Sequence, residues 1–174
     1  MDFGLSESQA TARQNAVEFA QRELTTGEIN PTFDRDGWKK CAAFGAMGIT
    51  IPTDFGGRGQ ALNEFVATME GLGYGCRRMG LITAIGAHVF GVVEPLHVAG
   101  TDEQKKKWLR KLAIGEWVGA HSVTEPGAGS DLMSFTTTAT LSGDFYIING
   151  KKRYTTCGAV ADFYVVYAKM DDPS

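Results

Sequence analysis

The sequence predicts an α+β chain, with an all-α helical bundle over residues 1–115 followed by the start of an antiparallel β-barrel or sheet domain over 116–174. Three observations predict it. Apolar residues recur at helical spacing through the first two thirds, twice introduced by a capping box. After Gly115 the chain turns to β-branched and aromatic runs. Asn149-Gly150, the strongest short hairpin signal, lies between two of those runs.

Ser6-Glu7-Ser8-Gln9 has the spacing of a capping box, so a first helix begins at Glu7, with Ala10, Val17, Ala20 and Leu24 on one face and Thr25-Thr26-Gly27 ending it. Asp36 is placed to cap a second helix, which carries Trp38, Cys41, Ala42 and Gly45 at i, i+3, i+4 and i+7. Ile49-Thr50-Ile51-Pro52 should be extended, because residues before proline avoid the α region, and Gly56-Gly57-Arg58-Gly59 should be a loop. A third helix holds Leu62, Phe65, Val66, Met69 and Leu72 until Gly73 and Gly75 break it. The stretch 81–93 is apolar on most faces and predicts a buried central helix. Thr101-Asp102-Glu103-Gln104, a second capping box, opens the fifth helix through Trp108, Leu109 and Leu112 to Gly115. Beyond it, Thr136–Thr140, Tyr146–Ile148 and Tyr164–Tyr167 read as strands, about four between 117 and 169. So few strands leave unpaired edges and a face that needs covering, and the sequence looks interrupted partway through a domain.

Composition narrows the function classes. A hydrophobic share of 43% and a charged share of 21% support a buried core rather than a disordered tail. The net charge of −3 and the mixed charges around Lys105-Lys106-Lys107 give no nucleic-acid footprint. Cys41, Cys76 and Cys157 are odd in number and lack CxxC spacing, which argues against disulfides or zinc and for a reducing cytosol. The amino terminus lacks a basic and apolar leader, so a cytoplasmic location is expected. The apolar stretch 80–93, interrupted by glycines and His88, is too short to span a bilayer, and no membrane span is expected. His88, His97 and His121 show no i, i+4 metal spacing, so no metal is expected.

Two segments could carry chemistry. Val123-Thr124-Glu125-Pro126-Gly127-Ala128-Gly129-Ser130-Asp131 leaves a strand, turns at Pro-Gly, and offers hydroxyls at Thr124 and Ser130, with glycines where backbone can approach a ligand. A proline-glycine turn capped by Ser130-Asp131 is the other reading. It is neither the lysine-bearing phosphate loop nor G-x-G-x-x-G, so a P-loop or Rossmann enzyme is excluded. In the second segment, 149–158, Tyr154 beside Thr155 and Thr156 either walls a planar ligand or forms an ordinary strand.

Together these strings resemble the acyl-CoA dehydrogenases. Gly48-Ile49-Thr50-Ile51-Pro52 through Gly56-Gly57 is similar to the family's G-(hydrophobic)-P-x-x-(aromatic)-G-G, and Gly100-Thr101-Asp102-Glu103-Gln104-Lys105 to its G-[TS]-x-x-Q-K helix start. The 123–131 string matches without a gap, and Asn149-Gly150-x-Lys152-x-Tyr154-Thr155-Thr156 resembles N-G-x-K-x-W-I-T. Four ordered motifs cover nearly the whole chain.

The resemblance implies FAD and the oxidation of an acyl-CoA or acyl-carrier-protein thioester to its trans-2-enoyl form, with a glutamate taking the α-proton and a hydride passing to the flavin. It also implies an electron-transfer flavoprotein as acceptor, a role in fatty-acid metabolism and a homo-oligomer. An oxidase or monooxygenase of the same fold, and a truncated non-catalytic scaffold, are the alternatives. Carried over by position, His121, Ser122, Val123 and Thr124 run along the flavin edge and Tyr154, Thr155 and Thr156 line the other side. Ser130 reaches the substrate. The family's C-terminal helical bundle is absent, so the general-base glutamate is expected beyond Ser174 and no catalytic residue is expected within the chain. Tyr154 and Thr155 depart from the family's usual tryptophan and isoleucine, which adds a hydroxyl to the aromatic wall.

Overall fold

Five helical stretches come first and five short strands follow in the computed structural model, which describes residues 4–25 and 32–170. The first helix, α1 (Glu7–Glu23), starts as its capping box requires: Ser6 accepts from the Gln9 N–H and the Gln9 side chain returns to the Ser6 N–H at 2.8 Å. Its buried face is Ala16, Val17, Phe19 and Ala20, with Leu24 beyond the last turn; Ala10 faces out, one turn short of the core. Thr26 and Gly27 lie outside the described residues.

Helix α2 (Arg35–Ala43) is capped by Asp34, not Asp36: the Asp34 carboxylate accepts from the Gly37 N–H at 2.9 Å, while Asp36 sits in the first turn, where its charge suits the helix dipole. The segment before Pro52 is not a strand. Ala46–Gly48 and Thr53–Phe55 are 3₁₀ turns, and Ile49 between them has helical backbone angles.

Helix α3 (Leu62–Gly75) runs straight through Gly73, and its other glycines are there for packing. A Cβ on Gly71 would meet the Arg13 carbonyl at 2.3 Å, and one on Gly75 would meet the Ala20 Cβ at 2.7 Å. Their spacing of four puts both on one helix face, and α1 lies against it.

The central helix, Met79–Ala99, is longer than the apolar stretch suggests: 21 residues, enough by length and composition to cross a membrane. It continues through Pro95 because the preceding Val89–Val93 is a π-turn, where the hydrogen-bond ladder is respaced before the residue that has no N–H. Much of it is core: Ile85, His88, Val89, Val92 and Val93 are fully buried. The fifth helix, 102–113, opens on the Thr101–Gln104 capping box and buries Leu109 and Leu112.

Two apolar clusters result. One joins Phe19, Trp38, Met47, Phe65, Leu72, Ile85 and Val118; the other joins Ile51, Val92, Val93, Leu96, Leu109 and Leu112, with Phe163 and Val165 packed on it. Each buried side chain of this size is worth about 1.5–3 kcal/mol.

The last helix closes at Ala113 and the first strand, β1 (Gly119–Ser122), opens six residues later. β1 pairs in parallel with β4 (Phe163–Val166), Gly119 opposite Phe163. In the second sheet β2 (Thr138–Ser142) pairs antiparallel with β3 (Phe145–Asn149) and parallel with β5 (Lys169–Met170). Among the described residues one of the three ladders is therefore antiparallel, and the β part is a two-stranded parallel sheet beside a three-stranded mixed one.

The β2–β3 hairpin turns at Gly143-Asp144, with Gly143 at φ 62°. Asn149-Gly150 is the exit of β3: Asn149 is still paired with Thr138, and the chain then leaves the sheet. Gly150 is required for a different reason, close approach. A Cβ there would meet Thr137 Oγ1 at 2.2 Å. Gly150→Ala is therefore expected to destabilise the protein by about 1–3 kcal/mol, read as a lower urea midpoint at constant slope. An unchanged midpoint would mean that Thr137 moves aside freely.

Candidate functional site: a cleft between two chain segments

The two segments singled out in the sequence face one cleft. Its volume is about 440 Å³ and its lining is Ala87, His121, Val123, Thr124, Leu132, Arg153, Tyr154, Thr156 and Tyr167. Helix-to-strand contact sets its floor. Gly91 of the central helix lies under His121, where a Cβ would come within 2.6 Å of the His121 Cβ, and Gly119 packs on Val92 and His88. β1 can thus lie directly on the helix. His88 fixes that arrangement: its Nδ1 accepts from the Gly119 N–H at 2.9 Å and its Nε2 donates to the Leu112 carbonyl at 3.0 Å.

One wall is the end of β1 and the residues after it. The parallel β1–β4 register carries Tyr167 alongside, its N–H donating to the Ser122 carbonyl at 3.1 Å and its ring edge-on to His121 at 5.2 Å. Partial burial holds the His121 pKa below its usual value, which leaves the imidazole neutral at pH 7.

The other wall, 153–156, is not a strand but an irregular turn. Tyr154 has φ 55° and Cys157 φ 63°, left-handed conformations that cost a side-chain-bearing residue on the order of 1–3 kcal/mol. The turn swings Tyr154 out, 80% exposed, with the Arg153 guanidinium 4.8 Å over its ring. The Arg153 N–H donates to the Thr124 carbonyl at 2.8 Å, which joins the walls at their base.

Of the seven residues expected along the flavin, His121, Val123, Thr124, Tyr154 and Thr156 line the cleft. Ser122 and Thr155 are turned behind it, their hydroxyls 3.1 Å apart, and hold the walls together instead. Ser130 is exposed and outside the lining; Leu132, two residues on, enters in its place. Ala87, Arg153 and Tyr167 were not singled out from sequence. Tyr167 reaches the cleft through the β1–β4 pairing, one residue past the strand whose partner ends at Ser122.

Glu125 stands behind the first wall, buried at 6% exposure. Its carboxylate accepts from the Thr136 N–H at 2.6 Å, the Thr136 hydroxyl at 2.8 Å, the Thr137 N–H at 2.8 Å, the Thr137 hydroxyl, and the Lys152 ammonium at 3.0 Å. These donors, the Thr137 hydroxyl foremost, outweigh the effect of burial and hold its pKa far below the usual carboxylate range. Among the described residues no three His, Cys, Asp or Glu side chains gather as metal ligands.

A planar aromatic ligand suits this lining: two tyrosines, apolar Ala87, Val123 and Leu132, and hydroxyls at Thr124 and Thr156. The volume falls within the ~300–1,000 Å³ usual for small-molecule sites.

Comparison with known proteins places the chain. Residues 6–116 match the family model for the acyl-CoA dehydrogenase N-terminal domain, and 120–174 the model for the middle domain. The chain belongs to the acyl-CoA dehydrogenase family. It is 39% identical, over 98% of its length, to a short-chain-specific acyl-CoA dehydrogenase of Clostridium acetobutylicum, of which it covers 46%. Among solved structures it is similar to the prolyl acyl carrier protein oxidase AnaB, with a TM-score of 0.88, 41% identity, and coverage of 95% of this chain and 45% of that one. It also resembles PigA with FAD and proline, with a TM-score of 0.91, 35% identity, and coverage of 97% and 45%. The chain thus spans about half the length of the relatives it matches.

Proposed function

We propose that the chain forms the flavin-facing part of an FAD-dependent dehydrogenase that oxidises a CoA or carrier-protein acyl thioester to its trans-2-enoyl form. The observation that carries this reading is the shared cleft, which gathers residues of the two family strings, 123–131 and 149–156, around one ligand-sized space. PigA was solved with FAD, and the lining here suits a flavin ring. Bound FAD supplies the two-electron redox chemistry. Val123, Leu132 and Ala87 give the ring an apolar seat, Tyr154 and Tyr167 flank it, and Thr124 and Thr156 offer it hydroxyls.

None of the cleft-lining residues is a carboxylate, and the carboxylate of Glu125 is committed to five donors. The general base therefore comes from outside this lining, and Ser130 is kept as a substrate contact on the exposed turn beside it. The reading divides the chain at about residue 115. It includes a cytoplasmic location and assembly with further copies, and an electron-transfer flavoprotein as acceptor. Three unpaired cysteines suit a reducing compartment; burial pushes the Cys41 thiol up to about 12, which makes it inert.

FAD titration of the full-length protein tests the reading: bound flavin with a perturbed visible spectrum is expected, and no binding would end it. The oxidase named among the similar structures supports a second reading, oxygen as acceptor. Oxygen uptake coupled to thioester oxidation without an added flavoprotein acceptor would favour it.

Thr156→Val keeps the side-chain shape and removes a hydroxyl expected to hydrogen-bond the reduced, anionic ring. A hydrogen bond to a charged group is worth about 1.5–3 kcal/mol, so the flavin midpoint potential should fall by roughly 30–60 mV for the two-electron couple. The exposed position should leave the melting temperature nearly unchanged. An unchanged potential with a large drop in melting temperature would make Thr156 structural.

A further inference from the structure

We propose that Glu125 and Lys152 act as a positioning pair that sets the separation of the two cleft walls. The inference rests on the flavin reading for what the walls hold.

The geometry is specific. Lys152 is 11% exposed at its side chain and Glu125 4%. The Lys152 ammonium donates to the Val123 carbonyl at 2.9 Å and to Glu125 Oε1 at 3.0 Å, with the Phe135 ring 4.6 Å away on another side. The next residue, Arg153, donates its N–H to the Thr124 carbonyl at 2.8 Å. Consecutive residues of one wall thus hold consecutive carbonyls of the other. A bond from backbone alone would leave the second contact free to shear; the lysine locks it.

Glu125 fixes the lysine in turn. Its four hydrogen bonds to Thr136 and Thr137 tie the carboxylate to the residues just before β2. Thr137 also accepts the Lys169 N–H at 2.8 Å, at the start of β5. The pair therefore references both walls to the second sheet. A buried ion pair is weak evidence for stability, since desolvation offsets much of its attraction. What this one supplies is geometry: an apolar side chain of equal volume could fill the space but could not hold the Val123 carbonyl. Displacement of a ligand-binding wall by about 1 Å costs up to roughly a hundredfold in function.

The experiment compares Lys152→Met, Lys152→Arg and Glu125→Gln with wild type in the full-length protein. Hydrogen exchange of the Arg153 amide is measured without ligand, then FAD affinity and the visible spectrum of bound flavin at a temperature where all variants are folded. Lys152→Met should speed Arg153 exchange, weaken FAD binding roughly tenfold or more, and shift the bound spectrum. Glu125→Gln should do the same more mildly, and Lys152→Arg, which keeps charge and donors, should recover most of both. A Lys152→Met protein that melts earlier yet keeps wild-type exchange, affinity and spectrum would overturn the proposal and leave the pair structural. A wild-type protein that binds no FAD would overturn the flavin reading and the positioning role with it.

Discussion

Stability is expected to fall by about 3 kcal/mol between pH 7.5 and pH 4, and His88 is the group that carries most of the loss. Its ring is fully buried, edge-on to Trp38 at 5.0 Å, and its two nitrogens are committed to the fifth helix and to β1. Because Nδ1 accepts from the Gly119 N–H, a second proton there would face a donor. Burial lowers the His88 pKa from 6.5 to about 4, against a smaller raising effect of the Leu112 carbonyl. The unfolded chain thus binds a proton at pH 6.5 that the folded one refuses until about pH 4. The stabilisation is complete above 6.5 and is lost as the pH falls through 4. His121, also lowered, adds a smaller contribution of the same sign. The loss due to Glu125 begins only below the ordinary carboxylate value of 4.5, because its folded pKa lies far lower.

Urea midpoints measured from pH 7.5 to 4 check this, in wild type and in His88→Gln. The variant should be less stable at pH 7.5 by about 1–3 kcal/mol, having lost a fitted acceptor for a buried N–H, and its stability should vary much less between 6.5 and 4.5. A variant that keeps the wild-type slope would assign the pH dependence to other groups.

What the sequence made legible follows from how local each signal is. The Ser6 and Thr101 capping boxes involve residues three apart, and both helices begin where those boxes put them. The cap of α2 lies two residues earlier, at Asp34, because both aspartates have cap chemistry and the helix begins at Arg35, which puts Asp36 inside the first turn. Asn149-Gly150 misled because a glycine signal has two causes: Gly143 supplies the positive φ of the hairpin, and Gly150 supplies room for Thr137. Gly71 and Gly75 hide the same ambiguity, since their purpose is the approach of α1. The parallel pairing of β1 with β4 spans some forty residues and leaves no local trace, so Tyr167 stayed invisible as a cleft residue. The cleft itself was legible through the resemblance, whose strings at 123–131 and 149–156 both contribute to its lining. The left-handed turn at Tyr154 that lets them meet was not, as tyrosine gives no warning of positive φ.

The largest functional effect is expected from the 174-residue chain assayed by itself: with FAD supplied, it should not oxidise acyl thioesters. Breaking an α-C–H bond at neutral pH needs a base within hydrogen-bond reach of that proton, in a site closed to water. The cleft lining offers no carboxylate. Glu125 is the nearest candidate by sequence, yet its carboxylate is held by five donors that stabilise the ionised form, which makes it a weak base as well as an unreachable one. His121 is neutral and lines the cleft, but its ring lies edge-on against Tyr167 and burial has lowered its affinity for a proton. Two exposed sides also leave water free to enter: Tyr154 is 80% exposed and Leu132 52%. The assay is anaerobic bleaching of added FAD by short, medium and long acyl-CoAs and by a prolyl carrier-protein thioester. Flavin absorbance should stay constant with each, and Glu125→Gln should change nothing. Stoichiometric bleaching that Glu125→Gln abolishes would make Glu125 the base. If His121→Gln abolishes it instead, the proton goes to the imidazole, and the base lies inside the cleft after all.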